Sequence, residues 1–316
     1  MLSEPSVENC PTQHHQPFIV AALDIGSNSF HLVIARQVDG DFQFLERHKQ
    51  QIRLAAGLNS KNTINSETID RAMACLEEFS KLIRHYQPTQ IRAVATHSLR
   101  IADNAEDFLL RAKQHFPASI EIISGTQEAQ LIYEGVAHLS DIHGQLLVMD
   151  IGGGSTEFVI GSDFHAKQLR SCPVGCINLT RQFFPDGTLN RKRFDNLINT
   201  AQQQLTPFSE EYIKLGWTQC LGSSGSIRMI DRILKEEGYR KRTITLERLL
   251  TIADHILTFD NLDDVKLPGL WPERKTILAA AVGILIAAFK SLRIEQMNYT
   301  RGALREGLLY SLVNNP

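Results

Sequence analysis

Asp24 and Asp150 each close an apolar run and open a turn of small residues, in IVAALDIGSNSFHLVIA (residues 19–35) and LLVMDIGGGSTEFVIG (146–161). Superposed on the two aspartates, the stretches agree in order: apolar run, Asp-Ile-Gly, small polar residues, then a second apolar run opening at Phe30 and at Phe158. Turns this rich in glycine lay backbone N–H groups side by side in a concavity that holds an anion. Gly26, Ser27, Asn28 and Ser29 form one such turn, and Gly152, Gly153, Gly154 and Ser155 with Thr156 form the other. Glycine there supplies conformations with φ > 0 at no Cβ cost. The chemistry that suits two anion loops is phosphoryl transfer, which asks for phosphates held in line, charge neutralised on their oxygens, and an aimed water. Asn28, Ser29, Ser155 and Thr156 add side-chain donors. Asp150 and Glu157 offer hard oxygens on one hairpin, a pair that fits a magnesium ion shared with waters and substrate phosphates. Asp150 could instead hydrogen-bond its own turn. The position equivalent to Glu157 in the first hairpin is His31, which argues for one principal metal site, on the second.

An apolar run bounded by a Gly/Ser/Asn turn reads as a buried strand, and the run directly after it as its hairpin partner. The repeat of that device predicts two similar domains facing each other across a cleft. In the first, strands are expected over 19–24, 30–38 and 42–54 with Asp39-Gly40 as a turn, then a helix from a Ser66 cap to about His85, because Ile69, Met73, Leu76, Phe79 and Ile83 recur at spacings of three and four. A strand over 91–96 runs into Thr96-His97-Ser98-Leu99-Arg100, and one over 120–123 into Ser124-Gly125-Thr126-Gln127-Glu128-Ala129. Ligands gather beyond the carboxyl ends of such strands. Thr126 can cap the helix that follows, with Gln127 and Glu128 in its first turn, where the macrodipole favours a carboxylate. In the second domain strands are expected near 167–171 and over 218–221 and 294–298, with helices over 246–259, 273–290 and 304–312.

ALDIGSNSFHLVIAR, SGTQEA, DIGGGSTE, GSSGSI and ALREG, in this order and at these separations, resemble the exopolyphosphatase and guanosine pentaphosphate phosphatase family of the actin and sugar-kinase superfamily. The resemblance implies an α/β fold of two actin-like (RNase H-like) domains: 18–124 with the C-terminal helix at 301–316, and 125–300. It also implies Glu128 as catalytic base, Arg100 and Arg274 as phosphate ligands, and Asp24 with the two loops as the phosphate cradle. The first acid of the family's motif is Gln127 here. The expected reaction is Mg²⁺-dependent release of terminal phosphate from inorganic polyphosphate, from guanosine pentaphosphate, or from both. An actin-like ATPase or sugar kinase, and a non-catalytic alarmone sensor, are the competing functions. Gly222–Ser226 would border a nucleoside in the former, or merely pack turn on sheet. Long members of the family continue into an HD-type helical domain, so a chain ending at Pro316 is expected to act distributively on shorter substrates. A homodimer is the expected assembly.

Composition is that of a soluble chain with material for two domains: 316 residues, 43% hydrophobic, 22% charged, net charge −2. That charge gives no reason to expect DNA or a membrane surface as partner. Arg181, Arg191, Lys192, Arg193, Arg240, Lys241 and Arg242 either track a polyphosphate or line solvated helix faces. Five cysteines without framework spacing suit a cytoplasmic protein with reduced thiols, and Cys172 and Cys176 lack the further ligands of a zinc site. Residues 1–17 are polar with no apolar core, which reads as a disordered tail rather than a leader. The apolar stretch 276–289 is shorter than a membrane span and reads as a buried helix.

Overall fold

The computed structural model describes residues 18–38, 40–140 and 144–314; the expected tail and Asp39 of the expected turn lie outside them. Two five-stranded sheets carry the chain. The first comprises β1 (Ile19–Ile25), β2 (Ser29–Val38), β3 (Asp41–Gln51), β4 (Gln90–Ala95) and β5 (Ile120–Ile122), in the order β3-β2-β1-β4-β5. The second comprises β6 (Gln145–Ile151), β7 (Thr156–Ser162), β8 (His165–Cys172), β9 (Gln219–Ser223) and β10 (Asn298–Tyr299), in the order β8-β7-β6-β9-β10. Each sheet is thus an antiparallel hairpin meander with two parallel strands added beside its first strand. The repeat seen in the sequence is a repeat of topology.

Both central strands are buried on both faces, which is why they read as unbroken apolar runs. Ala21, Leu23 and Ile25 face a core with α2 (Ser66–Tyr86) and α4 (Ala105–His115), reached after the short α1 (Leu54–Gly57) and α3 (His97–Arg100). The alternate residues Val20 and Ala22 meet Leu146 and Val148 of the second sheet through a shared helical layer. That layer is α5 (Gly125–Leu139), packed on β7 and β8, and a terminal helix, α11 (Leu304–Asn314), packed on β1 and β4. Beyond the second sheet lie α6 (Cys176–Phe183), α7 (Arg191–Leu215), α8 (Ser224–Glu236), α9 (Leu246–Ile256) and α10 (Leu278–Leu292).

Several expectations are corrected. Asn65, not Ser66, caps α2, its Oδ1 accepting from Thr68 N at 2.9 Å. Ser124, not Thr126, caps α5. The last strand shrinks to Asn298–Tyr299 because Met297 exchanges both backbone hydrogen bonds with Ile244 instead. Residues Pro272–Ile277 wind as a 3₁₀ turn ahead of α10. By length and composition Pro272–Leu292 could cross a membrane, but 72% of its apolar 18-residue window is buried, and α10 packs against α7 and α9 in the core.

Candidate active site

The two turns have one construction. Gly26 N donates to Ser29 O (3.1 Å) and Gly152 N to Ser155 O (2.9 Å). Strand register then sets Asp24 opposite His31 and Asp150 opposite Glu157, each pair on one face of its hairpin. The loop carbonyls point into the protein. Asn28 O accepts from Ile52 N and Arg53 N, and Ser27 O from Ala55 N; Gly152 O accepts from Cys176 N, and Gly153 O from Ile177 N and Asn178 N. The N–H groups of Ser27, Asn28, Gly153, Gly154 and Ser155 make no hydrogen bond to any described residue. They are the donors an anion would take.

The glycines of the second loop are needed for a reason other than the expected one, since none of Gly152, Gly153 and Gly154 has positive φ. They are needed because neighbouring groups pack closely on the turn: a Cβ on Gly152 would stand 3.0 Å from Ser155 O of the same turn, and the opposite loop approaches at Gly153. A Cβ on Gly153 would stand 2.9 Å from Ser27 Cβ on the opposite loop, and one on Gly154 2.0 Å from the His97 ring. Between the loops opens a cleft of about 540 Å³ lined by Asp24, Glu128 and Asp150 and by both turns. The two aspartates therefore face a single space.

Glu128 enters this space from the first turn of α5 and is only 8% exposed. Burial first, then the nearby Glu157 charge, push its carboxyl well above the usual range, against the pull of Arg100. Burial raises Glu157 to about 7, with Asp150 adding and the Ser171 hydrogen bond opposing. Asp24 is raised to about 7 by burial and opposed by Arg305; Asp150 is raised to about 6 by burial and opposed by its hydrogen bond with Ser223. Asp24, Glu128 and Asp150 line the cleft, whereas Glu157, 1% exposed, lies behind Asp150 without lining it; carboxyls this close and this buried attract protons or a cation.

Glu157 fits a cation ligand in one respect that the chain itself shows. Its Oε1 accepts from Ser171 Oγ at 2.8 Å, while its buried Oε2 has no hydrogen-bond partner. With Asp150 opposite, the donor set is hard oxygen, as Mg²⁺ prefers. Among the described residues no group of three or more His, Cys, Asp and Glu could hold a metal alone. Any ion here would be completed by waters and substrate.

The lysine and arginine side chains that line the cleft are Arg47, Lys49, Arg228, Arg274, Arg301 and Arg305. None of the seven basic residues left between polyphosphate tracking and solvated helix faces lines it, which favours the solvated faces. Arg191 pairs with Asp254, Arg193 with Asp186 and Arg242 with Asp231. Arg274 lies flush on the Gly222–Ser226 turn, where a Cβ on Gly225 would meet its guanidinium at 2.0 Å. That junction of β9 and α8, which also lines the cleft, thus packs closely against an arginine.

Residues 33–316 match the sequence profile of the Ppx/GppA phosphatase family. The chain belongs to that family. It is 39% identical over 298 residues to a guanosine-5'-triphosphate,3'-diphosphate pyrophosphatase of Aliivibrio fischeri, covering 94% of this chain and 60% of that one. A protein of the same name from Photobacterium profundum is 39% identical over 296 residues, covering 94% and 59%. The chain spans about three fifths of the length of these relatives. A solved Ppx/GppA family member from Aquifex aeolicus aligns with TM-score 0.80 at 25% identity, covering 95% of this chain and all of that one. An exopolyphosphatase from Cytophaga hutchinsonii shares the fold, with TM-score 0.85 at 23% identity over 94% of this chain and 98% of that one. The two actin-like domains expected from the sequence are those of the Ppx/GppA fold.

Within the Ppx/GppA site two expected phosphate ligands stand elsewhere. Arg100 does not line the cleft; Nη1 donates to Ile123 O (2.8 Å) and to Glu128 Oε2 (3.2 Å), and the side chain borders a neighbouring cavity with Arg170 and Ser171. Thr156 is fully buried and its hydroxyl donates to Val174 O, so it has no donor for substrate. Ser29 does line the cleft, with a buried Oγ that has no partner. Gln127 closes a capping box: its Oε1 accepts from Ser124 N (2.8 Å) and its N–H donates to Ser124 Oγ (3.2 Å). Glu or Gln serves equally in that role. The departure from the family pattern therefore leaves helix α5, and Glu128 on it, in place.

Proposed function

We propose that this chain hydrolyses the terminal phosphoanhydride bond of guanosine pentaphosphate, of inorganic polyphosphate, or of both, by in-line attack of water and with a divalent cation. The observation that carries the reading is the pair of touching anion loops with Glu128 at their junction. The free N–H groups of the two loops hold the phosphates between the lobes and stabilise charge as it develops on their oxygens. Lys49, Arg228 and Arg274 neutralise the remainder of the polyanion. Glu128, buried and of raised proton affinity, takes the proton of the attacking water once it is itself ionised. Arg100, bonded to Glu128, fixes the carboxylate's orientation. A divalent cation at Asp150 and Glu157 would supply Lewis-acid neutralisation of phosphate oxygens. The non-catalytic alternative loses the motive that Gln127 supplied, since Gln127 completes the capping box of α5. We place the protein in the cytoplasm, in keeping with its four described cysteines, all free and buried.

Purified chain with Mg²⁺ should convert guanosine pentaphosphate to the tetraphosphate and orthophosphate, and tripolyphosphate to pyrophosphate and orthophosphate, with a chelator stopping both. Product separation checks this. No orthophosphate from either substrate, with Mg²⁺ or Mn²⁺ present, would sink the reading.

A further inference from the structure

Arg305 stands in the first turn of α11, where the macrodipole favours carboxylates and opposes cations. Neighbouring Glu306 has the favoured sign. Helix stability therefore does not explain Arg305. Its surroundings do: Nη1 lies 3.1 Å from His31 Nδ1, and Nε lies 3.9 Å from Oε2 of Glu306, a carboxylate 2% exposed that also stands 3.9 Å from Arg47. The guanidinium lines the cleft, and its charge bears on both Asp24 and Asp150.

His31 occupies in the first hairpin the register position that Glu157 occupies in the second. Burial first, then Arg305, hold it well below its usual range, so it is neutral, and Nδ1 is assigned as the acceptor that faces the guanidinium. Two hairpins of one backbone construction thus carry opposite chemistry. The second presents paired carboxylates, suited to a cation. The first presents a guanidinium tethered by an imidazole, suited to an anion.

We propose that Arg305, oriented by His31, clamps the phosphate on the leaving side of the scissile bond against the loop Gly26–Ser29. Arginine has five N–H donors, of which His31 engages one, so the fork can still grip two oxygens of a phosphate. The unpartnered Ser29 Oγ adds a further donor in the same cleft. The inference rests on the hydrolase reading for which phosphate is held, whereas the existence of an anion clamp at Arg305 does not. His31 is a positioning residue, acting through Arg305.

The test is calorimetric binding of methylenediphosphonate, which cannot be hydrolysed, to the full chain with Mg²⁺. Arg305→Met should bind roughly 10–100-fold more weakly than wild type. His31→Ala should weaken binding several-fold and His31→Gln, which keeps an acceptor, should recover it, a rescue that a merely structural histidine would not show. If Arg305 only neutralised Asp24, the double variant Asp24→Asn/Arg305→Met would regain affinity; the clamp requires that it stay weak. Should Arg305→Met fail to fold, Arg305→Lys keeps the charge without the planar fork, and it too should bind about tenfold more weakly. Wild-type affinity in either Arg305 variant, or recovery in the double variant, would overturn the clamp. A wild-type chain that binds the diphosphonate through Arg305 yet releases no phosphate would refute the hydrolase and leave the clamp standing.

Discussion

Glu128→Gln should slow phosphate release by about 10²–10⁴-fold, the usual contribution of a positioned general base. The substitution keeps shape and one acceptor oxygen but cannot take a proton. Stability should hold or rise, because the charge it removes is buried and is disfavoured by the nearby Glu157. Arg100 keeps its bond to Ile123 O in the variant. The pH profile carries the sign. A base works only when ionised, and Glu128 has its proton affinity raised by burial, so wild-type kcat/KM should fall as pH drops through a value well above the ordinary carboxylate range. In Glu128→Gln the residual rate should lose the part of that limb owed to Glu128 and keep only what protonation of Asp24, Asp150 and Glu157 contributes. Stopped assays from pH 5 to 9, with thermal melts of both proteins, read all of this. Activity within threefold of wild type in a folded variant would remove Glu128 from the chemistry.

Gly154→Ala should be nearly as damaging, by a different route. The added methyl would stand 2.0 Å from His97 Cδ2, on a half-buried ring whose Nε2 lies 3.5 Å from Asn178 Nδ2. The ring and the loop must part. Overpacking of this kind typically costs about 1–3 kcal/mol, and a displacement near 1 Å of a positioning group can cost about 10²-fold in rate. We expect kcat to fall by roughly 100-fold and KM to rise, with the melting temperature down by a few degrees. His97→Ala combined with Gly154→Ala should recover part of the loss, since it removes the atoms in the way. Full activity in Gly154→Ala alone would show that the close packing of His97 on the second loop is not what catalysis requires.

Much of this was legible in the residues, and what was not has physical causes. The paired apolar runs with Asp24 and Asp150 fixed the two hairpins, because strands buried on both faces leave an unmistakable pattern. The role of Gly153 and Gly154 is not legible in the local sequence, since close approach of another lobe leaves no trace in the residues of the turn itself. Lys49 and Arg305 escaped notice for a related reason. Lys49 looks like an edge-strand surface lysine until register sets it opposite His31. Arg305 was seen only as part of ALREG, although a cation at a helix start is against the dipole and was itself a signal. Helix caps were misassigned by one or two residues at Ser66 and Thr126, where two hydroxyl or amide candidates adjoin and only geometry chooses. Arg100, expected as a phosphate ligand beyond β4, ends the short α3 and bonds Ile123 O and Glu128, contacts between elements that sequence order does not disclose.

The most direct measurement follows hydrolysis of guanosine pentaphosphate in water enriched in ¹⁸O, with the products weighed by mass spectrometry. If the two loops hold the phosphate chain and Glu128 aims water at its end, released orthophosphate carries one heavy oxygen from solvent and the tetraphosphate carries none. Heavy oxygen in the nucleotide product would place the attack at a different phosphorus and contradict the account.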